Sequence, residues 1–281
     1  MKRRILPLLV TLLLLSLELA AQIHPDPTQA RLATAARLDS LNQSDLNELL
    51  SQAQSGDSEA QYWMGLAYEW GKPISKNLQV SRQWLLKSAE QGYAPAQSAI
   101  GMMYLDNGGD YGKADMWLRR AAVQGDAEAQ FWLGAAYEQG HVGSPDYAEA
   151  LNWVRKAADQ GHPDAEYLLG QMYEDGEGVA QNYATAAKWY RRAAAHVPNL
   201  GGAGMARSQL ARLYMKGLGV PQDYVLAYFW YALAGFDPPE AASHMTPTQI
   251  TQAKRMAQEW ARQHAIRALQ DHVLIINHAH K

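Results

Sequence analysis

The chain of 281 residues contains no cysteine. That excludes a disulfide framework, even in a compartment that would permit one, as well as lipid attachment through a thiol and zinc sites built on thiolates. Charge of either sign is also in short supply: 25 Lys and Arg against 28 Asp and Glu leave a formal net charge of −3. No basic field exists to hold nucleic-acid phosphates or an anionic membrane surface. Signatures of catalysis are missing too. There is no G-x-S-x-G elbow and no H-E-x-x-H. Neither Gly176-x-Gly178 nor Gly217-x-Gly219 is followed by Lys-Ser/Thr or preceded by a strand, so both read as helix ends and turns, not phosphate loops. The adjacent carboxylates Glu174 and Asp175 sit at a helix end, and an acid–base enzyme built on them would need a cleft around them. His272, His278 and His280, with His264 upstream, have no Asp or Glu after Asp271 and read as solvated tail residues, not as a metal site. No catalytic residue, cofactor or metal is expected.

The first residues stand apart. Lys2, Arg3 and Arg4 form a basic head, Ile5 to Leu17 is a Leu-rich run, and Ala20-Ala21 offers small residues for cleavage. The run is shorter than the ~20 apolar residues of a membrane span, and the pattern is that of a secretory signal peptide over residues 1–21. Retention as an uncleaved anchor is the alternative. Cleavage removes three basic residues and one acidic residue (Glu18), taking the net charge from −3 to −5. No later stretch could cross a bilayer, and the mature chain is expected in the periplasm or outside the cell.

With 9 Trp and 15 Tyr, the remaining chain has the material for packed helices, and those residues are periodic. The stretch from Gly125 to His162 carries a frame of Gly125, Ala129, Gly134, Tyr137, Gly140, Tyr147, Ala150, Trp153 and Ala157. Its Tyr recurs as Tyr68, Tyr104, Tyr137, Tyr173 and Tyr214, and its Trp as Trp84, Trp117, Trp153, Trp189 and Trp230. Two markers with matched spacing indicate an array of five repeats over residues 59–236. In each copy a first helix is expected to begin at Ala60, Ala96, Ala129, Ala165 or Ala206. Counting that Ala as position one, positions one, four, five, eight and nine share an apolar face. Position six is Gly65, Gly101, Gly134, Gly170 and finally Ala211. Gly costs about 1 kcal/mol against Ala inside a helix, so four glycines there predict a close crossing by the partner helix. The second helices pair a small residue with the Trp three positions on, as in Ala114–Trp117.

Residues 22–58 read as an N-terminal helical cap, with one helix through Ala30, Leu32, Ala35 and Ala36. A second is capped by Ser44 and buries Leu46, Leu49, Leu50 and Ala53. The stretch Ala195 to Met205 lengthens the junction before the last repeat. Residues 237–281 hold a closing helix, opened by the capping box Thr246-Pro247-Thr248-Gln249 with Ile250, Ala253, Ala257 and Trp260 on its apolar face, and then a tail.

The frame A-x-x-x-L-G-x-x-Y-x-x-G … A-x-x-W-x-x-x-A-A-x-x-G resembles the Sel-one-like repeat family, short relatives of the tetratricopeptide repeats. The fourth copy carries it through Ala165, Leu169, Gly170, Tyr173, Gly176, Gly178, Val179, Ala186, Trp189 and Ala193. The resemblance implies an all-α fold, an α/α superhelix or solenoid of paired antiparallel helices, serving as a scaffold for protein partners. Some secreted members carry a Cys pair in each repeat; this chain has none.

The face of the first helices opposite the core is the candidate binding surface. Positions three, seven and ten place there Tyr62, Leu66 and Glu69; Ser98, Met102 and Leu105; Phe131, Ala135 and Glu138; Tyr167, Gln171 and Glu174; and Ser208, Arg212 and Met215. In solenoids of paired helices the first helices line the concave side. Tyr62, Phe131 and Tyr167 beside Glu69, Glu138 and Glu174 suit a peptide or helix with apolar and basic residues. The competing reading buries the aromatics against the next repeat and leaves the glutamates solvated. The function expected is non-catalytic protein binding in the cell envelope; the alternative is a hydrolase acting on cell-wall or small substrates.

Overall fold

The computed structural model describes residue 34 and residues 37–106, 109–141, 143–196 and 201–279, with side chains as far as residue 264. The leader read at residues 1–21, most of the stretch 22–36 and the side chains of His272, His278 and His280 lie outside the described residues. Among the described residues no strand occurs. The helices are α1 (Gln43–Gln54), α2 (Ser58–Trp70), α3 (Leu78–Glu90), α4 (Ala94–Asp106), α5 (Tyr111–Val123), α6 (Ala127–Glu138), α7 (Tyr147–Asp159), α8 (Pro163–Asp175), α9 (Tyr183–Ala194), α10 (Gly202–Lys216), α11 (Tyr224–Leu233), α12 (Pro239–Ser243) and α13 (Pro247–Ala279). The chain divides into two compact units, residues 31–157 and 158–275. In the first, α2 packs on α3 and α4 on α5, α3 and α5 each pack on the following first helix, and α1 packs on α2. In the second, α8 packs on α9 and α10 on α11, with α9 and α8 both against α10. Fold class is therefore all-α, built from consecutive helix pairs.

Short polar side chains start the helices. Asp57 accepts from the Ala60 amide at 2.7 Å and Asp126 from Ala129 at 2.8 Å. His162 does the same work at Ala165 through Nδ1, at 3.3 Å. Helices α2, α4, α6 and α8 thus begin two residues before the alanines named from the sequence, and α10 begins four before Ala206; in α2, α6 and α8 that Ala is the third helical residue and receives the cap through its own N–H. The second helices are capped by Asn77, Asp110, Asp146, Asn182 and Asp223. Four of these also donate their amide to the carbonyl of the frame Tyr in the preceding helix: Asn77 to Tyr68 (2.8 Å), Asp146 to Tyr137 (3.0 Å), Asn182 to Tyr173 (2.7 Å) and Asp223 to Tyr214 (3.0 Å). In those four repeats one residue therefore starts a helix and ties it to its partner. At the N-terminal cap the expectation of Ser44 is corrected. Asn42 is the cap, with Asp45 closing a capping box, because Asn42 is the residue with extended backbone and its oxygen reaches both Ser44 N and Asp45 N. The C-terminal capping box stands as expected: Gln249 N reaches Thr246 Oγ1 at 3.3 Å, and Thr246 N reaches Gln249 Oε1 at 2.8 Å.

The glycines at position six sit where helices cross. A Cβ on Gly65 would lie 2.6 Å from Leu85 Cγ, on Gly101 2.6 Å from Leu118 Cγ, on Gly134 2.6 Å from Val154 Cγ2, and on Gly170 2.6 Å from Tyr190 Cδ1. Each obstructing residue follows the frame Trp by one. The Trp rings themselves carry cations from the next helical turn: Lys87 over Trp84 at 4.5 Å, Arg120 over Trp117 at 4.9 Å, Lys156 over Trp153 at 4.0 Å and Arg192 over Trp189 at 4.5 Å. Trp117 and Trp153 are buried and Trp84 and Trp189 half-buried; in each the cation covers the ring face while its own charge stays hydrated.

Position two of the first helices joins neighbouring repeats. Gln61 donates to Ala53 O at 3.0 Å, Gln97 to Ala89 O at 3.1 Å and Gln130 to Ala122 O at 3.0 Å, closing the C-terminal end of the preceding second helix. Gln61 and Gln97 in turn accept from Gln91 and Gln124 at 2.8 Å. In the fourth repeat the position is Glu166, 1 % exposed. A carboxylate cannot donate to Ala158 O, and Arg192 does so instead at 3.0 Å while pairing with Glu166 at 2.8 Å. His196 Nε2 lies 3.0 Å from the other Glu166 oxygen. In the fifth repeat Arg207 takes the position, donating to Ala194 O (3.0 Å) and His196 O (2.7 Å) beneath the Trp260 ring. Burial pulls its guanidinium down to about 10.

Candidate partner-binding face

The face proposed from positions three, seven and ten is neither a smooth exposed surface nor a sealed interface. Tyr62, Met102, Phe131, Tyr167, Gln171, Arg212, Glu69, Glu138 and Glu174 are all half-buried. Leu66 departs from the expectation. It is only 6 % exposed, because Leu38 and Ala67 close over it, so it is a core residue and not a contact for a partner. Ser98 and Ala135 are buried as well. All three position-three aromatics lean on other rings: Tyr62 on Trp63 (5.8 Å, edge-on) and Tyr93 (5.4 Å), Phe131 edge-on to Trp132 at 5.2 Å, and Tyr167 on Tyr190 at 5.8 Å. Part of each ring is thus spent on packing, and part remains at the surface.

The electrostatics differ between the two units. In the first, burial raises the Tyr62 hydroxyl well above the usual range, and Tyr93, Asp126, Glu69 and Glu128 push it further. Carboxylates from α2 and from the start of α6 therefore act on one tyrosine of α2. In the second unit the acid is already answered. Glu174 is paired with Arg212 and accepts from Tyr190 Oη at 2.8 Å, while Arg212 Nε donates to Gln209 Oε1 at 2.8 Å. The Glu174–Asp175 couple raised as an acid–base candidate is accordingly divided. Glu174 is engaged on both oxygens, whereas partial loss of water and the Glu174 charge raise Asp175 against the opposing Arg212.

Two features escaped the sequence. Arg119 donates to Tyr137 Oη and lies 3.3 Å from Asp115, and Arg191 donates to Tyr214 Oη at 3.0 Å. The frame Tyr is thereby held by the Arg two residues past the Trp of the preceding repeat, a spacing visible only once the helices are placed. His264, grouped with the tail histidines, is instead buried, stacked 3.7 Å from Trp260 with Nδ1 2.8 Å from Trp260 O. No helix among the described residues is long and apolar enough to cross a membrane.

No curated protein matches the chain. Among solved structures, a protective antigen present in uropathogenic Escherichia coli strains, displaying an SLR fold, is 31% identical with a TM-score of 0.64 over 78% of this chain and 49% of that one. The chain thus spans about half the length of that relative. A Sel1 repeat protein from Oxalobacter formigenes is 27% identical with a TM-score of 0.58, over 79% of this chain and 96% of that one. The Sel1 repeat pattern itself matches residues 58–93, 94–126, 127–162, 163–196 and 204–235. Those five segments hold every frame glycine, tyrosine and tryptophan whose packing is described above and make up more than half of the sequence, and on that ground the chain belongs to the Sel1 repeat family.

Proposed function

We propose that the protein is a non-catalytic adaptor of the bacterial cell envelope that captures another protein on the face formed by its first helices. Sel1 repeat proteins generally act as scaffolds for protein interaction. Export is supported by the basic head Lys2–Arg4, the Leu-rich run and Ala20-Ala21. The observation that carries the binding reading is the row Tyr62, Met102 and Phe131 on α2, α4 and α6. These side chains are large, half-buried and apolar, with Glu69 and Glu138 at the same face. Half-buried aromatics are the side chains that anchor interfaces, since their positions are already fixed and little rotamer freedom is lost on contact.

The test is affinity capture from solubilised envelopes with the full chain and with a Glu69→Lys, Glu138→Lys variant. The proposal expects one or two recurrent partners, lost or strongly reduced with the variant while its helical circular dichroism is retained. Equal capture by both proteins would count against this face, and recovery of the native protein in the cytosolic fraction would count against export.

A further inference from the structure

On α5, Met116, Arg120 and Val123 follow one another at i, i+4 and i+7, which sets them in one stripe along the helix. All three are exposed. Val123, at 68 %, is the most exposed large apolar side chain among the described residues, and Met116 stands at 40 %. Two apolar groups in line on one helix face form the kind of patch that marks an interaction site.

The charges around the stripe are answered within the chain except at one position. Lys113 pairs with Asp110 at 2.7 Å, and Arg119 with Asp115 at 3.3 Å and with Glu149 of α7 at 3.8 Å. Arg120 has no carboxylate within ion-pair distance among the described residues; its guanidinium lies over Trp117. Lys87 on α3 and Lys156 on α7 hold the same place in their repeats, over Trp84 and Trp153, and both are exposed. An indole fixes a cation without neutralising it. The three helices are neighbours: Arg82 of α3 and Lys113 of α5 share the Tyr104 ring, at 4.8 and 5.3 Å, and Arg119 joins α5 to α7. Arg120 therefore stands between two apolar side chains of its own helix, with a further fixed cation on the helix to either side.

We infer that the Met116–Arg120–Val123 stripe is a second docking surface, taking an acidic amphipathic helix of a protein partner that sets a carboxylate between two apolar side chains. The inference goes beyond the first-helix reading and does not rest on it. Charge complementarity gives the sign of the partner. The spacing gives its form, since a helix laid along α5 presents its own side chains at i, i+4 and i+7. An anionic bilayer fits less well. The places of Met116 and Val123 are taken by Gln83 and Glu90 on α3 and by Asn152 and Asp159 on α7. A flat charged surface that covered α3 together with α5 would meet the exposed Glu90, whereas a single helix along α5 does not.

The test uses the full chain with labelled methionine methyl groups, followed by NMR. It is titrated with a short helical peptide of leucine and glutamate, with the same peptide carrying glutamine for every glutamate, and with vesicles of phosphatidylglycerol. A saturating shift of the Met116 methyl is expected with the glutamate peptide alone, while Met102 on the first-helix face stays unmoved. Arg120→Gln and Val123→Ser should each weaken the titration about tenfold. Both positions are exposed, so neither variant touches the core, and Arg120→Gln removes the charge while keeping a polar chain beside Trp117. No shift at Met116, an equal shift with the glutamine peptide, a matching shift at Met102, or an unchanged titration in both variants would overturn the surface. A Met116 shift with the vesicles and none with the peptide would overturn it too, in favour of lipid. None of these results bears on capture through Tyr62, Met102 and Phe131, so failure here and failure of the first-helix face are told apart.

Discussion

At Gly134 a single methyl group decides whether two helices can cross. Its added Cβ would stand 2.6 Å from Val154 Cγ2, 3.0 Å from the Val154 backbone nitrogen and 3.2 Å from Ala150 O, and backbone atoms cannot step aside as a side-chain tip can. Gly134→Ala is expected to lower stability by about 1–3 kcal/mol despite the better helix propensity of Ala, read as a drop in urea midpoint at unchanged slope. A neutral or stabilising result would show that the crossing is looser than described. Position six was legible in the sequence because glycine inside a helix is costly and must have a steric reason. Position two was not, because its residue type changes from Gln to Glu to Arg. What stays the same is the carbonyl being served, on the preceding helix. Gln97→Ala removes the side-chain donor to Ala89 O, which keeps the Gly92 amide at 3.0 Å, and about 0.5–1.5 kcal/mol should be lost. Gln97→Glu should also lower stability, since a carboxylate cannot donate to Ala89 O as the Gln97 amide does; equal stability of wild type and both variants in chemical denaturation would refute this role.

The helix ends show what local sequence can and cannot reveal. Thr246 to Gln249 was readable as a capping box because all its partners lie within four residues. The N-cap of α1 is Asn42 and not Ser44, since Asn and Ser two residues apart both can cap and only the backbone conformation selects one. Removing either cap, by Thr246→Ala or Asn42→Ala, is expected to cost about 1 kcal/mol, seen as a lower melting temperature with the helical circular dichroism retained. The misreading of Leu66 has a different origin. Periodicity assigns it to the outer face of α2, and the residue that covers it, Leu38, lies 28 positions upstream in a segment outside the repeat frame. Leu66→Ala should therefore behave as a core truncation, costing roughly 2–5 kcal/mol, where a surface leucine would cost almost nothing.

Across the whole molecule the five-repeat, all-α organisation was legible from two residue types, because Tyr and Trp mark fixed places in every copy. The candidate face was legible only as a row of positions, since how far each side chain is covered depends on neighbours one repeat away. That difference separates the three glutamates. Glu69→Lys with Glu138→Lys should weaken partner capture. Glu174→Lys should instead destabilise, by roughly 3 kcal/mol, because it sets a lysine against Arg212 and strands Tyr190 Oη. If Glu174→Lys left the thermal melt unchanged, the assignment of Glu174 to an internal ion pair would fail.

The central claim is that the first helices, not the second, meet the partner. It is tested most directly by placing a photo-reactive phenylalanine derivative in intact cells at Tyr62, Met102 or Phe131, and for comparison at the exposed Leu78, Met116 or Val123 on α3 and α5, then identifying cross-linked proteins by mass spectrometry. The account predicts the same one or two envelope proteins from the first-helix positions and none of them from the second-helix positions. Recurrent products from Leu78, Met116 or Val123, with none from Tyr62, Met102 or Phe131, would contradict it.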